Sequence, residues 1–589
     1  MTFYRLAEYF QRLEETASRL ALIDILAELF KEVDKEEVGM VSYLLQGRVA
    51  PFYEATEIGM SEKLVAQSMA RAYSVDREEI LKEFGRVGDL GLVAEKLSSL
   101  RMQGSNKQEA HGSPTRSGMT VSVVFNTLTE IANTSGEGTV EKKIVLLSGL
   151  LEKMDGVSAK HLVRVPLGAS RLGIGDPTIL DAFAKLKLGD KGKRGELEGA
   201  YNKVSDLGLI GEILWSKGLK GVQSLGVTLG RPIRPQLCER ITDTKAILEK
   251  FGGTAHTQQK YDGFRVQIHK DGNKVRLFSR NLEETTLMFP DIIQGVLSQI
   301  KAKSIILDSE ALAYNPESEE FLPFQETTKR RRKYGIDEMQ KKLPLRTFVF
   351  DIMYLNGKSL MNESIVSRVK SLEKVIKGDE VLISHPGELV SDQETLTNMF
   401  NDALSKGLEG LITKRPDSKY EAGARNFNWI KLKRNSSGEL QDTIDCVILG
   451  YIFGKGKRAA FGAGALLVGV YDSEKDEFVT VSKIGTGLTD DEWREIHRRA
   501  DKIKTDKKPA RVNSVLTPSV WIAPEIVIEV LADEITRSPV HTAGKTDTEV
   551  GYALRFPRLI KFREADKEAE DATTVKELIS MYNSQYSKK

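Results

Sequence analysis

The chain has 589 residues, enough for roughly three or four domains that each bury a core of their own. Hydrophobic residues make up 40% and charged residues 29%, with 49 Gly and 17 Pro spread along the chain, which excludes collagen-like, coiled-coil and wholly disordered classes. Lys plus Arg total 86 against 84 Asp plus Glu, so the net charge of +2 gives no argument for a polyanionic partner beyond local patches.

Two cysteines, Cys238 and Cys446, are too few for a disulfide framework or a four-cysteine zinc site and suit a reducing compartment, so a cytoplasmic protein is expected. Met1 to Leu26 carries Arg5, Glu8, Arg12, Glu14 and Glu15 among its apolar residues. That fits neither a signal peptide nor a membrane span, and no membrane association is expected.

From Phe3 to about Leu225 apolar residues recur at three-to-four spacing, as in Leu6, Phe10 and Leu13, which predicts an all-α domain over residues 1–228. Its clearest interruption, Gln103 to Gly118, is polar and reads as an exposed loop. At Gly173-Ile174-Gly175-Asp176-Pro177 a helix starts, with Asp176 suited to the N-cap and Pro177 to the first helical position; the start reads equally as a phosphate site or as an ordinary turn.

A new domain, residues 229–434, follows the extended linker Gly230 to Pro235. Phe264, Val266 and Ile268 alternate with polar residues, Asp271-Gly272 turns, and Val275 and Leu277 alternate again, which predicts a hairpin. Further strands are predicted at Ser304 to Leu307, Thr347 to Tyr354, Gly410 to Lys414 and Trp429 to Lys433, with a helix at Val366 to Ile376, so the class is α+β. The basic run Lys329 to Lys333 reads as a solvated face. Asn435 to Gly438 offers a joint, and the β-rich runs beyond it (443–451, 465–471, 478–484 and 525–531) predict a small β-barrel domain over residues 435–589.

Lys260-Tyr261-Asp262-Gly263 has the Lys-x-Asp-Gly form of covalent nucleotidyltransferases, but so does Lys153-Met154-Asp155-Gly156 at what reads as a helix end. Context separates them. Lys260 is followed by a strand bearing Arg265, and the hairpin register sets Arg265 opposite Phe278 to Arg280, so two guanidinium groups can converge beside the lysine; Lys153 has Ser158 at the matching place. Lys431 and Lys433, two apart on one strand, share a face and can supply positive charge to a phosphate and to a lysine that must lose its proton before attack.

Further motifs follow in order: Ile306-Leu307-Asp308-Ser309-Glu310, Thr347 to Gly357, Gly407 to Lys414, Trp429 to Lys433, and Leu554-Arg555-Phe556-Pro557-Arg558. With Lys260 and the N-terminal segments Leu44 to Val49 and Gly173 to Gly175, the chain resembles the ATP-dependent DNA ligases of the archaeal replicative three-domain type over essentially its full length.

The resemblance implies a helical DNA-binding domain, a nucleotidyltransferase (adenylation) domain and an OB-fold, acting as a monomer on nicked duplex DNA in replication, repair and recombination. It implies ATP and Mg²⁺, with Mn²⁺ as an alternative, and a sliding clamp as partner. Lys260 would be the nucleophile; Phe350 would stack on adenine; Glu310 and Glu409 would bind the metal, Glu310 also lying at the ribose; Arg265, Arg280, Arg425, Lys431, Lys433 and Arg558 would contact the nucleotide. The competing readings are an mRNA guanylyltransferase and an inactive nick-binding scaffold.

Two departures stand out. Gln258 occupies a place near the adenine where the family usually has Glu, and an amide that both donates and accepts is expected to loosen the choice of nucleotide. Arg563-Glu564-Ala565-Asp566-Lys567 carries one inserted residue, which puts the roles of Asp566 and Lys567 in doubt. Gln46, Val49, Phe52 and Tyr53 have the spacing of a clamp-binding peptide but read better as core, so a clamp contact is expected in the loop Gln103 to Gly118.

Overall fold

The structure is a computed structural model that describes the chain except residues 17, 106–117, 169, 316–319, 323–326, 328, 333–334, 407, 434–441, 454–463, 486–487, 489, 533, 556, 564–566 and 587–589. The joint at 435–438, Asp566 with the inserted Ala565, and most of the loop at 103–118 lie outside the described residues.

Helices occupy the chain from Phe3 to Gln223 and share one continuous core running from Phe3 to Val222. Their starts are chemically marked: Thr2, Ser18, Ser61, Asp76, Thr120 and Asp206 each accept a backbone N–H with the side chain. Asp155 does the same for the helix Gly156–Arg164, accepting from Ser158 N at 3.0 Å, so the second Lys-x-Asp-Gly is a turn and cap, with Lys153 exposed. At the helix Asp176–Leu188 the N-cap is Gly175 and not Asp176. The Asp176 carboxylate is drawn instead to Gln46 Nε2 (2.7 Å) and Arg234 Nη2 (2.6 Å).

The middle of the chain forms two sheets. Its strands are β1 (Leu237–Arg240), β2 (Ala255–Lys260), β3 (Phe264–Asp271), β4 (Lys274–Ser279), β5 (Ser304–Asn315), β6 (Glu320–Phe321), β7 (Leu345–Leu355), β8 (Lys358–Ser359), β9 (Leu382–Ser384), β10 (Glu388–Val390), β11 (Gly410–Lys414) and β12 (Arg425–Lys433). One sheet has the order β1-β12-β11-β2-β10; the other runs β4-β3-β5-β7-β8, with β6 on β5 and β9 on β7. The chain therefore crosses from the second sheet to the first between β9 and β10, through His385-Pro386-Gly387.

Lys260 ends β2, and the three residues after it turn into β3. Gly263 is required there, because a Cβ would meet the Ala311 carbonyl oxygen at 2.5 Å. The hairpin register is as the turn predicts: Val266 pairs with Ser279, which sets Arg265 level with Arg280. The basic run is not wholly solvated, since Arg330 is buried and its guanidinium binds both Asp291 oxygens at 2.9 Å.

Beyond residue 441 the chain is strand-rich. Ile444–Ile452, Ala465–Asp472 and Glu477–Ile484 form the antiparallel centre of an eight-stranded sheet, which Val527–Leu531 and Arg558–Phe562 extend. Two helices not expected from the sequence, Asp490–Ala500 and Val575–Tyr586, pack on this sheet through Trp493, Ile496, Val575 and Leu578. No helix among the described residues is long and apolar enough to cross a membrane.

Candidate active site

A cavity of about 170 Å³ opens between the two sheets, and the C-terminal strands and helix close one side of it. Its lining includes Lys260, Asp262, Gln258, Arg265, Arg280, Glu310, Phe350, Glu409, Arg425, Lys431 and Lys433. Residues spread over more than 170 positions meet because β2, β11 and β12 lie side by side: Lys260 is paired with Gly410, and Gly410 with Lys433.

Lys260 Nζ forms an ion pair with Glu409, and Lys433 Nζ lies 3.2 Å from the same carboxylate. Burial opposes ionisation of Glu409, but Lys260 and Lys433 outweigh it and hold the carboxyl well below its ordinary range. Asp262 is pushed up by burial and by Glu409. Burial also pushes Glu310 up to about 7, while its Oε1 accepts from Gly263 N at 3.2 Å. Burial is thus the main cause that raises Asp262 and Glu310, while Glu409 is held ionised by the lysines beside it.

Phe350 lies at an irregularity of β7 and lines the cavity. Ser309 pairs with Val349 and Asp308 with Asp351, so Phe350 is an extra, unpaired residue of β7. Past this bulge the two faces of β7 are exchanged. Phe348 stacks on Tyr261 at 3.8 Å, while Ile352 enters the core of the second sheet. Below Phe350, the buried Lys414 Nζ lies 5.1 Å from its ring and 4.0 Å from that of Trp429, with its pKa lowered to about 8 by burial.

The two arginines predicted to converge do so, each with an acidic partner. Arg265 binds Asp308 through Nε at 3.0 Å, and Arg280 binds Asp571 of the C-terminal segment at 3.3 Å. Arg425 Nη1 donates to Glu577 at 2.6 Å, and Lys431 Nζ is 3.4 Å from that carboxylate.

Comparison with known proteins agrees along the whole chain. Family models described as DNA ligase N terminus, ATP dependent DNA ligase domain and ATP dependent DNA ligase C terminal region match residues 2–184, 235–433 and 459–567. A probable DNA ligase of Dictyoglomus turgidum is 47% identical over 100% of this chain and 99% of its own. DNA ligase 2 of Thermofilum pendens is 42% identical over 98% of this chain and 97% of its own, and the DNA ligase of Sulfolobus acidocaldarius is 40% identical over 100% and 99%. The chain belongs to the ATP-dependent DNA ligase family.

In this ligase Arg558 is the one predicted site residue outside the cavity. It is the exposed first residue of its strand, and the alternation that turns Leu559 inward turns Arg558 outward. Arg563 and Lys567 line the cavity instead, with Lys567 ion-paired to Asp445. Sequence reasoning missed Glu577 although its signal is present: Thr574-Val575-Lys576-Glu577 is a capping box, in which Thr574 Oγ1 accepts from Glu577 N and Glu577 accepts from Thr574 N at 2.9 Å.

The donor set suits Mg²⁺, since Glu310 and Glu409 both line the cavity and present hard oxygens. Among the described residues no three acidic, His or Cys side chains cage a metal by themselves.

Proposed function

We propose that this ligase seals nicks in duplex DNA through three transfers that begin at Lys260. The observation that carries this reading is the lysine at the end of β2, ion-paired to Glu409 within a cavity that also holds Lys431, Lys433 and Phe350. Lys260 Nζ attacks the α-phosphorus of ATP; a P–N bond forms and the bond to pyrophosphate breaks. The 5′-phosphate at the nick then takes AMP from the lysine, and the 3′-hydroxyl displaces AMP to close the strand.

Phe350 stacks on the adenine, and Ile412 adds apolar surface to the same cavity. Arg265 and Glu310 lie toward the ribose, paired across β3 and β5. Lys431, Lys433, Arg280 and Arg425 neutralise phosphate charge. Glu310 and Glu409 would hold Mg²⁺, which would offset charge on the transferring phosphate. Arg558 acts only if the C-terminal domain turns relative to the sheets.

The domains are read as 1–228 for DNA binding, 229–434 for adenylation and 435–589 as an OB-fold, a reading that the mostly antiparallel eight-stranded sheet supports. The family match sets aside the guanylyltransferase reading, and the full set of cavity residues argues against an inactive scaffold. The protein is read as a cytoplasmic monomer that contacts a sliding clamp. Incubation with α-labelled ATP should yield a covalent adduct that maps to Lys260 and chases onto nicked DNA; an adduct elsewhere, or none, would overturn the reading.

A further inference from the structure

The two cysteines of the chain sit in unlike surroundings. Cys446 is fully buried in the core of the C-terminal sheet, and burial pushes its thiol well above the ordinary range. Cys238 is partly exposed and lines the same cavity as Lys260. It lies on β1, paired with Asn426 just before a break in register: the next residue, Glu239, pairs with Ile430, so Phe427, Asn428 and Trp429 have no match on β1. The thiol thus sits where two parallel strands part, packed against the apolar cluster of Tyr420 and Trp429 and bordering the cavity.

Cations surround it. Arg265, Lys414 and Arg425 line the cavity and lie within electrostatic reach of Cys238. Lys414 is an independent sign that this part of the cavity takes a ligand. Its Nζ is buried and, among the described residues, has no hydrogen-bond acceptor. Asp351 lies 3.7 Å away, but both of its oxygens are already held by Arg368, at 2.7 and 3.0 Å. A buried ammonium left without an acceptor is costly, and an entering group that accepts relieves that cost. A partly exposed thiol in electropositive surroundings is the kind that exchanges with disulfides.

We propose that Cys238 is a modification site for small anionic disulfides, and that a mixed disulfide there closes the cavity to ATP and stops transfer to Lys260. The inference rests on the reading of the cavity as the ATP site. The thiol gives its proton to water, and the Cys238 sulfur attacks one sulfur of the disulfide. The S–S bond of the reagent breaks, a new S–S bond forms to Cys238, and the other half leaves as a thiolate; the disulfide is itself the oxidant. The added group shares a cavity of about 170 Å³ with the nucleotide and brings negative charge to cations that ATP also uses. A small thiol reverses the reaction, so the site stays free in a reducing compartment.

The test treats the full chain, freed of AMP with pyrophosphate, with dithiobis(nitrobenzoate), which is dianionic, or with cystamine, which is dicationic. Peptide mapping by mass spectrometry should place a label at Cys238 and none at Cys446, and saturating ATP with Mg²⁺ should slow labelling by about tenfold or more. Relative to their rates with free cysteine, the anionic reagent should outpace the cationic one at Cys238 by about tenfold or more. The labelled protein should form no Lys260 adduct until dithiothreitol removes the label, whereas Cys238→Ala should form the adduct equally before and after treatment. Label at Cys446 or nowhere, labelling that ATP does not slow, cystamine keeping pace, or an undiminished adduct in the labelled protein would each overturn the proposal. An untreated protein that forms no adduct removes the ATP reading and this inference with it; an untreated protein that forms the adduct, with any of those labelling results, overturns this inference alone.

Discussion

Arg425 Nη1 donates to the Glu577 carboxylate at 2.6 Å, joining the start of β12 to the C-terminal helix at the edge of the cavity. Burial opposes ionisation of Glu577, yet Lys431 and Arg425 hold its pKa down to about 2. The helix thus presents an anion to Arg425 and Lys431, the cations that the proposed function assigns to the ATP phosphates.

Replacing Glu577 with Gln should therefore ease ATP entry. The lost charge-assisted contact is worth about 1–2 kcal/mol, so the apparent KM for ATP in lysine adenylation should fall by roughly 5- to 30-fold. Steady-state adenylation kinetics would check this, and an unchanged or higher KM would show that the contact does not compete with ATP. Because the carboxyl stays ionised down to about pH 2, the competition in the wild type should not vary between pH 6 and 8.

The two Lys-x-Asp-Gly segments should respond oppositely to mutation. Lys260→Ala should abolish adduct formation, while Lys153→Ala should leave it within about twofold, since exposed substitutions rarely act at a distance. Mass spectrometry of the labelled peptide gives the answer directly.

Stability of the helical domain should hinge on Arg164, which is buried and donates to Glu14 at 2.9 Å and to Asp89 at 3.1 Å. Arg164→Leu leaves Glu14 with Lys160 alone and Asp89 with Arg171 and should cost about 3 kcal/mol, the low end for breaking a buried ion pair. Burial raises the Glu14 pKa, but Arg164 and Lys160 prevail and lower it from 4.5 to about 2. A depressed carboxyl stabilises the fold above its unfolded pKa, and that contribution is lost as pH falls through the folded value. Thermal midpoints of wild type and variant should accordingly converge between pH 4.5 and 2.

Clamp binding should not depend on the pattern at Gln46. Val49 and Tyr53 are buried, Tyr53 donating to Asp206 at 2.9 Å, and the Phe52 ring lies under the Arg48 guanidinium. Deleting Ser105 to Ser113 should abolish clamp affinity. Retained affinity in the deletion, with loss in a folded Phe52→Ala variant, would reverse the assignment.

Much of the fold was legible in local pattern. The strands at Phe264–Asp271, Gly410–Lys414 and Ala465–Asp472 fall within a residue or so of where alternation puts them, because alternation records which side of a strand is buried. The residues beside Lys260 distinguished it from Lys153, and the hairpin turn set Arg265 against Arg280. Other features depend on contacts between distant segments. Ile352 turns into the core because β7 bulges against β5 just before it; Glu577 reaches the cavity only because the last helix docks on Arg425; and the Gln258 amide is oriented by a turn more than a hundred residues away. Sequence periodicity reports how a segment meets solvent and core, whereas the direction of a side chain such as Gln258 is set by its partners across the fold, and those partners are brought together only by the packing of the sheets.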